Sequence, residues 1–184
     1  NTGSFNFHDV SRFDYFYDAV KWAAENGIAS GTGRYTFSPN AVCTRAQTVT
    51  FLWRAAGSPL PRYRVCPFTD VQPSDYYYNA VLWASNMGIV NGATATTFDP
   101  NGNVTREQIA AILYRYEGSP TVTGSLSGYP DQAQVSSFAV TAMQWAVGSG
   151  IITGVTSGGR TTLSAKGNAT RAQVAVMLHR FLTF

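Results

Sequence analysis

The stretch CTRAQ, Cys43 to Gln47, stands directly ahead of the run TVTFLWR, and it returns as VTREQ at Val104–Gln108 and as ATRAQ at Ala169–Gln173. Thr44-x-x-Gln47, Thr105-x-x-Gln108 and Thr170-x-x-Gln173 each fit a capping box. In that motif the Thr hydroxyl accepts from the amide three residues on, and the Gln side chain reaches back to the Thr amide. A helix is therefore predicted to begin after each Thr. An apolar stripe runs behind it: Ile109, Ile112, Leu113 and Tyr116 in the second copy, and Val174, Met177, Leu178 and Phe181 in the third. The Arg after each Thr does not suit this reading, because a helix N-terminus already carries partial positive charge.

Working outward, the whole chain repeats. An offset of 61 residues links Asp9 to Asp70, Trp22 to Trp83, Gly27 to Gly88, Gly31 to Gly92, Phe37 to Phe98, Arg45 to Arg106 and Arg54 to Arg115. A third copy follows with drifted spacing at Asp131, Trp145, Gly150, Gly154, Leu163, Arg171 and Arg180, the extra residues falling in the Gly-rich TSGGR. The units are read as residues 1–60, 61–121 and 122–184. Each opens with an amphipathic helix, YFYDAVKWAAENG in the first, where Tyr15, Phe16, Ala19, Val20, Trp22 and Ala23 approximate helical spacing. Gly27-Ile28, Gly88-Ile89 and Gly150-Ile151 read as Schellman endings. A second Gly then leads into a loop, YTFSPN, TTFDPN or TTLSAK, where Pro39 and Pro100 forbid a helix.

With 45% hydrophobic and 12% charged residues, the chain of 184 is a folded globular one. The net charge of +3 comes without any basic run, and only Lys21 and Lys166 are lysines, which argues against nucleic-acid binding. No stretch approaches the roughly 20 apolar residues of a membrane span. No signal sequence opens the chain, and it reads as an excised region of a longer protein. Cys43 and Cys66 share no ligand spacing with His8 and His179, so no metal or other cofactor is expected. The two cysteines are either a disulfide closing a short loop or two thiols.

The arginines allow two readings. A single Arg at such a site is ordinarily solvated or paired with a carboxylate, such as the Asp ahead of each first helix. Three at one register, Arg45, Arg106 and Arg171, point to an anion pocket in which helix amides and a bidentate guanidinium hold a carboxylate or phosphate. On that reading Arg106→Ala weakens binding and hardly changes the melting temperature. Trp22, Trp83 and Trp145 are read first as core residues, and alternatively as rings stacking on a sugar. Asp9, Asp70 and Asp131 are read as turn or cap residues.

In order, F-x-D-V, A-V-x-W-A, G-I-x-x-G, F-x-P and T-R-A-Q resemble the S-layer homology (SLH) domain, in three tandem copies over nearly the whole chain. The resemblance implies an all-α fold in which three repeats form one pseudo-threefold unit, with a central three-helix bundle and three helical prongs separated by grooves. It implies a secreted, cell-surface module that anchors a larger protein to the cell wall by holding a secondary wall polysaccharide, often pyruvylated. Carried over, the binding residues fall on Arg45, Arg106 and Arg171, with support from Trp22, Trp83, Trp145, Gly31, Gly92 and Gly154. The family pattern ends in Glu where this chain has Gln, which removes a negative charge beside each Arg. Repeat three lacks the Val after its Asp, has Ala165 for the loop Pro and carries the longer loop, so if one groove is degenerate it is expected to be one that uses repeat three. The competing function is a protein–protein or lattice-assembly module. Catalysis is not expected: Glu25, Glu107 and Glu117 are the only Glu, and neither His lies in a nucleophile motif.

Overall fold

The structure, a computed structural model, describes residues 5–122 and 124–183. It is mostly helical. Helices α1 (Tyr17–Glu25) and α2 (Arg45–Ala55) come from the first unit, α3 (Tyr78–Asn86) and α4 (Arg106–Tyr116) from the second, α5 (Val140–Gly148) and α6 (Arg171–Thr183) from the third. Short 3-10 turns at Gln132–Gln134 and Ser137–Ala139 precede α5. The only paired strands among the described residues, β1 (Val155–Ser157) and β2 (Arg160–Thr162), form an antiparallel hairpin. That hairpin is the insertion in repeat three. No described helix is long and apolar enough to cross a membrane.

The helix ends follow the local chemistry. Thr44, Thr105 and Thr170 accept from the amides of Gln47, Gln108 and Gln173, and each Gln returns a side-chain oxygen to its Thr amide. Gly27, Gly88 and Gly150 take positive φ of 68, 71 and 76°. The following Ile28, Ile89 and Ile151 amides reach back to Ala23, Ala84 and Ala146, the longer bond of a Schellman ending. One boundary differs from the sequence reading. Helix α1 begins at Tyr17, because Asp14 accepts the Ser11 amide and holds residues 11–16 in turns. Phe16 still packs inward, but Tyr15 leaves the apolar stripe and is 69% exposed.

The units are not self-contained. The principal helix pairings join the second helix of one repeat to the first helix of the next: α2 with α3, α4 with α5, and α6 with α1. Backbone bonds close the same circuit. The Cys43 amide donates to the Ala169 carbonyl, Ala169 to Val104, and Val104 to Cys43, at 2.9, 2.9 and 3.2 Å. All three residues are fully buried, so these amides have no water to fall back on. Around this ring lies one continuous core, with Phe37, Phe98 and Leu163 completely enclosed at equivalent loop positions.

Cys43 and Cys66 are free thiols, which decides between the two sequence readings against the bridge. Cys43 is enclosed on the ring, where burial pushes its pKa up to about 11 against the Thr48 hydroxyl that donates to it. Cys66 instead directs its thiol at the Phe68 and Val71 carbonyls.

Candidate functional site

Each recurring Arg reaches into a neighbouring repeat. Arg45 Nε donates to the Phe98 carbonyl at 3.0 Å, Arg106 Nε to Leu163 at 3.0 Å, and Arg171 Nε to Phe37 at 2.9 Å. Arg45 and Arg171 also donate from Nη2 to the carbonyls of Asn91 and Ser30, both at 3.0 Å. Arg45 and Arg171 lie over the Phe98 and Phe37 rings, each 4.8 Å from the centroid. Arg106 and Arg171 are 5% and 3% exposed. Burial pulls all three guanidinium pKa values down from their ordinary value, with nearby Asp, Tyr or Cys side chains opposing it. Arg at the start of a helix is thus explained by carbonyl dipoles rather than by a carboxylate partner.

The helix amides are also committed. The first two of each second helix donate to the preceding loop of the next unit in the circuit: Arg45 and Ala46 to Gly102 and Pro100, Arg106 and Glu107 to Gly167 and Ala165, Arg171 and Ala172 to Ala41 and Pro39. With the third amide capped by Thr, no anion can use them. That part of the anion-pocket reading is corrected. The expectation for Arg106→Ala changes with it: this buried side chain is a structural clamp, and its loss costs stability.

Asp9, Asp70 and Asp131 brace the loops rather than cap helices. Asp9 takes the amides of Phe37 and Ser38, Asp70 those of Phe98 and Asp99, and Asp131 those of Leu163 and Ser164, at 2.8–3.2 Å. Burial raises the Asp70 and Asp131 pKa values, but these amides, with Arg45 and Arg160 nearby, outweigh it and hold both below the ordinary value. A carboxylate with a depressed folded-state pKa stabilises the fold above its unfolded value near pH 4, and that contribution is lost as pH falls through the folded value. The unfolding midpoint is therefore expected to drop between pH 5 and pH 3 more steeply in the parent than in Asp70→Asn, measured by circular dichroism at fixed ionic strength. Equal slopes would remove Asp70 from the acid response.

The same side chains outline three equivalent grooves. The groove of repeat one is lined by Arg171, Arg54 and Gly31, with Gln47 and Tyr76. That of repeat two is lined by Arg45, Arg115 and Gly92, with Gln108 and Phe138. That of repeat three is lined by Arg106, Arg180 and Gly154, with Gln173 and Tyr15. Every groove therefore draws on all three repeats. The volumes, about 250, 460 and 290 Å³, suit roughly a sugar unit each, at the small end of ligand sites. Hairpin residues Val155 and Thr156 add a wall to the third groove. Repeat three thus departs from the pattern by adding hairpin residues to its groove.

Gly31, Gly92 and Gly154 do line the grooves, and none could carry a side chain. A Cβ at Gly31 or Gly92 would overlap the Thr36 or Thr97 carbonyl and the ring edge of Phe7 or Phe68, and one at Gly154 would meet Thr161 at 2.7 Å. The three tryptophans lie elsewhere. Trp22 packs on His179 and Trp145 on Tyr114 in seams between paired helices, while Trp83 packs on Tyr116 and Trp145 also on Phe181. Trp83 and Trp145 are buried in the core and Trp22 is half-buried against it; none of the three lines the grooves of the paired arginines, although Trp145 borders a neighbouring cleft with Arg180.

Arg54, Arg115 and Arg180 were visible in the sequence only as repeated positions. Arg115 and Arg180 donate to the Ile89 and Ile151 carbonyls at 3.4 and 3.2 Å, while the Arg54 side chain makes no hydrogen bond or ion pair among the described residues. Tyr15, Tyr76 and Phe138 were missed for another reason. The turn ahead of each first helix swings them into the groove of another unit. Glu107, weighed as a scarce carboxylate, is 4% exposed and accepts from the Ser136 amide and hydroxyl at 2.9 and 2.6 Å, fixing the start of repeat three.

Fold and grooves together define a repeat module that presents basic clefts on a closed helical frame. The S-layer homology domain profile matches residues 6–49, 67–110 and 128–175, and the chain belongs to that family. It is 32% identical over 98% of its length to the endoglucanase of Bacillus sp. (strain KSM-635) and covers 19% of that protein. It is 31% identical over 90% of its length to the Surface-layer 125 kDa protein of Lysinibacillus sphaericus, covering 14% of it. The amylopullulanase of Thermoanaerobacterium thermosulfurigenes is 35% identical over 61% of this chain, which covers 6% of that relative. The chain thus spans less than a fifth of these relatives. Family membership makes it an extracellular, cell-wall-associated anchoring module of surface proteins.

Proposed function

We propose that the module anchors a larger exported protein by holding an acidic secondary wall polysaccharide, such as a pyruvylated one, in the grooves between repeats. The observation that carries this is the pair of arginines lining each groove, one from each of two repeats, with an aromatic ring from the third. Two guanidinium groups lining a cleft present planar donor forks to a carboxylate, and the ring offers an apolar face to a sugar. Arg106 is held through Nε, and its Nη groups make no bond to the protein among the described residues. In the groove of repeat three, Tyr15 stands beside Arg106 and Arg180 and brings a phenol to the cleft.

Binding is tested by sedimentation with purified wall sacculi, before and after the non-peptidoglycan polymer is stripped. Retention that survives stripping would reject the polysaccharide, and retention that needs a second protein would promote the lattice-assembly reading. Arg54→Gln and Arg180→Gln are each expected to weaken retention about tenfold, the effect of about one charge-assisted hydrogen bond, with the loss fading at high salt. Unchanged retention in both would take the second arginines out of the site.

A further inference from the structure

The three grooves share a plan but not a charge. Those of repeats one and three are lined by two arginines and no acid. That of repeat two is lined by Arg45, Arg115 and also Asp99. The equivalent positions, Ser38 and Ser164, carry no charge and do not border their grooves. All three residues take the same left-handed backbone, with φ of 58, 61 and 50°. Backbone geometry therefore does not demand Asp there.

The Asp99 carboxylate acts on Arg45, whose pKa it raises, yet no ion pair within 4.0 Å joins them; among the described residues the one ion pair is Lys21–Glu25. Asp99 is exposed, borders the groove, and sets its carboxylate against Gly102. The rim differs in the same sense. Phe138 replaces the Tyr76 and Tyr15 of the other grooves, so no phenol is available to donate. This groove also has the largest volume of the three, about 460 Å³ against about 250 and 290 Å³.

We propose that Asp99 is a specificity-determining residue: it makes the groove of repeat two hold an anionic sugar more weakly than the grooves of repeats one and three. This inference rests on the acidic-polysaccharide reading above. A fixed carboxylate lowers a groove's attraction for an anion by roughly its unit charge, and the missing phenol takes away a hydrogen bond that could have compensated. The chain as it stands therefore offers an anion two stronger grooves and one weaker one.

The test is isothermal titration of the whole module with single-unit wall-polysaccharide fragments that carry carboxylates, and with the same fragments after carboxyl reduction. The parent is expected to bind two carboxylated fragments in stronger sites and a third more weakly. Asp99→Ser, which copies the residue already present at the two equivalent positions, and Asp99→Asn, which keeps the shape, are expected to raise the affinity of the third site about fivefold, the effect of one charge several ångströms away at an exposed surface. That gain should shrink at high salt. Three equal sites in the parent, or no gain at the third site in either variant with an unchanged melting temperature, would overturn the role of Asp99 while leaving the anion reading intact. If reduced and carboxylated fragments bind the parent equally, the anion reading itself is overturned, and this inference with it.

Discussion

Arg171→Ala is expected to lower the midpoint of thermal unfolding by about 6–12 °C, while Arg54→Ala, in the same groove, leaves it within about 2 °C. The first figure follows from what Arg171 holds. Its Nε and Nη2 donate to the Phe37 and Ser30 carbonyls, and its guanidinium lies 4.8 Å from the Phe37 centroid and 5.3 Å from that of Phe51. Truncation strips two carbonyls of charge-assisted donors and removes a buried stacking contact, a loss of about 3 kcal/mol. For a domain of this size each kcal/mol moves the midpoint by about 2–4 °C. Arg171→Lys should recover little of it, since an ammonium cannot reproduce two bonds in the plane of a fork. The measurement is a circular dichroism melt of the three variants. A melt of Arg171→Ala that overlays the parent would return Arg171 to the role of a pure ligand contact.

That contrast also marks where sequence reasoning reached its limit. The capping boxes, the Schellman glycines and the repeat itself were legible, because each depends on residues within a few positions of one another. The partner of Arg171 was not, since it is a backbone carbonyl 134 positions away, and a carbonyl has no sequence signature. Without that partner, three cations at helix starts read naturally as anion binders. They border the grooves, but they first fasten one repeat to the next. Arg54, Arg115 and Arg180 carried the opposite problem. Their recurrence was visible, but a last-turn Arg is electrostatically comfortable at a helix C-terminus and raised no question. The tryptophans mark a third limit, since helical periodicity gives the buried face of a helix and not what it is buried against. The pairing of each first helix with the preceding repeat could not be read from either helix alone.

Phe98→Ala is expected to cost about 4 kcal/mol and to lower one cooperative transition without dividing it. Phe98 is fully enclosed, so truncation loses both transfer energy and packing around the cavity left behind. Its ring meets Phe68 at 5.5 Å and carries the Arg45 guanidinium at 4.8 Å, while its carbonyl takes Arg45 Nε and its amide goes to Asp70. One residue thus joins the loop of repeat two to the helix start of repeat one. Since the guanidinium uses both the ring and the carbonyl of the same residue, Phe98→Ala with Arg45→Ala should cost about 1 kcal/mol less than the two singles together. The transition should stay single because no repeat owns a complete interface. Cys43, Val104 and Ala169 pass their backbone bonds around a closed ring, and each second helix finds its main partner in the next unit. Melts of the variant followed by far-ultraviolet dichroism and by tryptophan fluorescence should therefore give one midpoint. Two separated midpoints would mean that the repeats fold as independent domains, and that the ring adds little to their union.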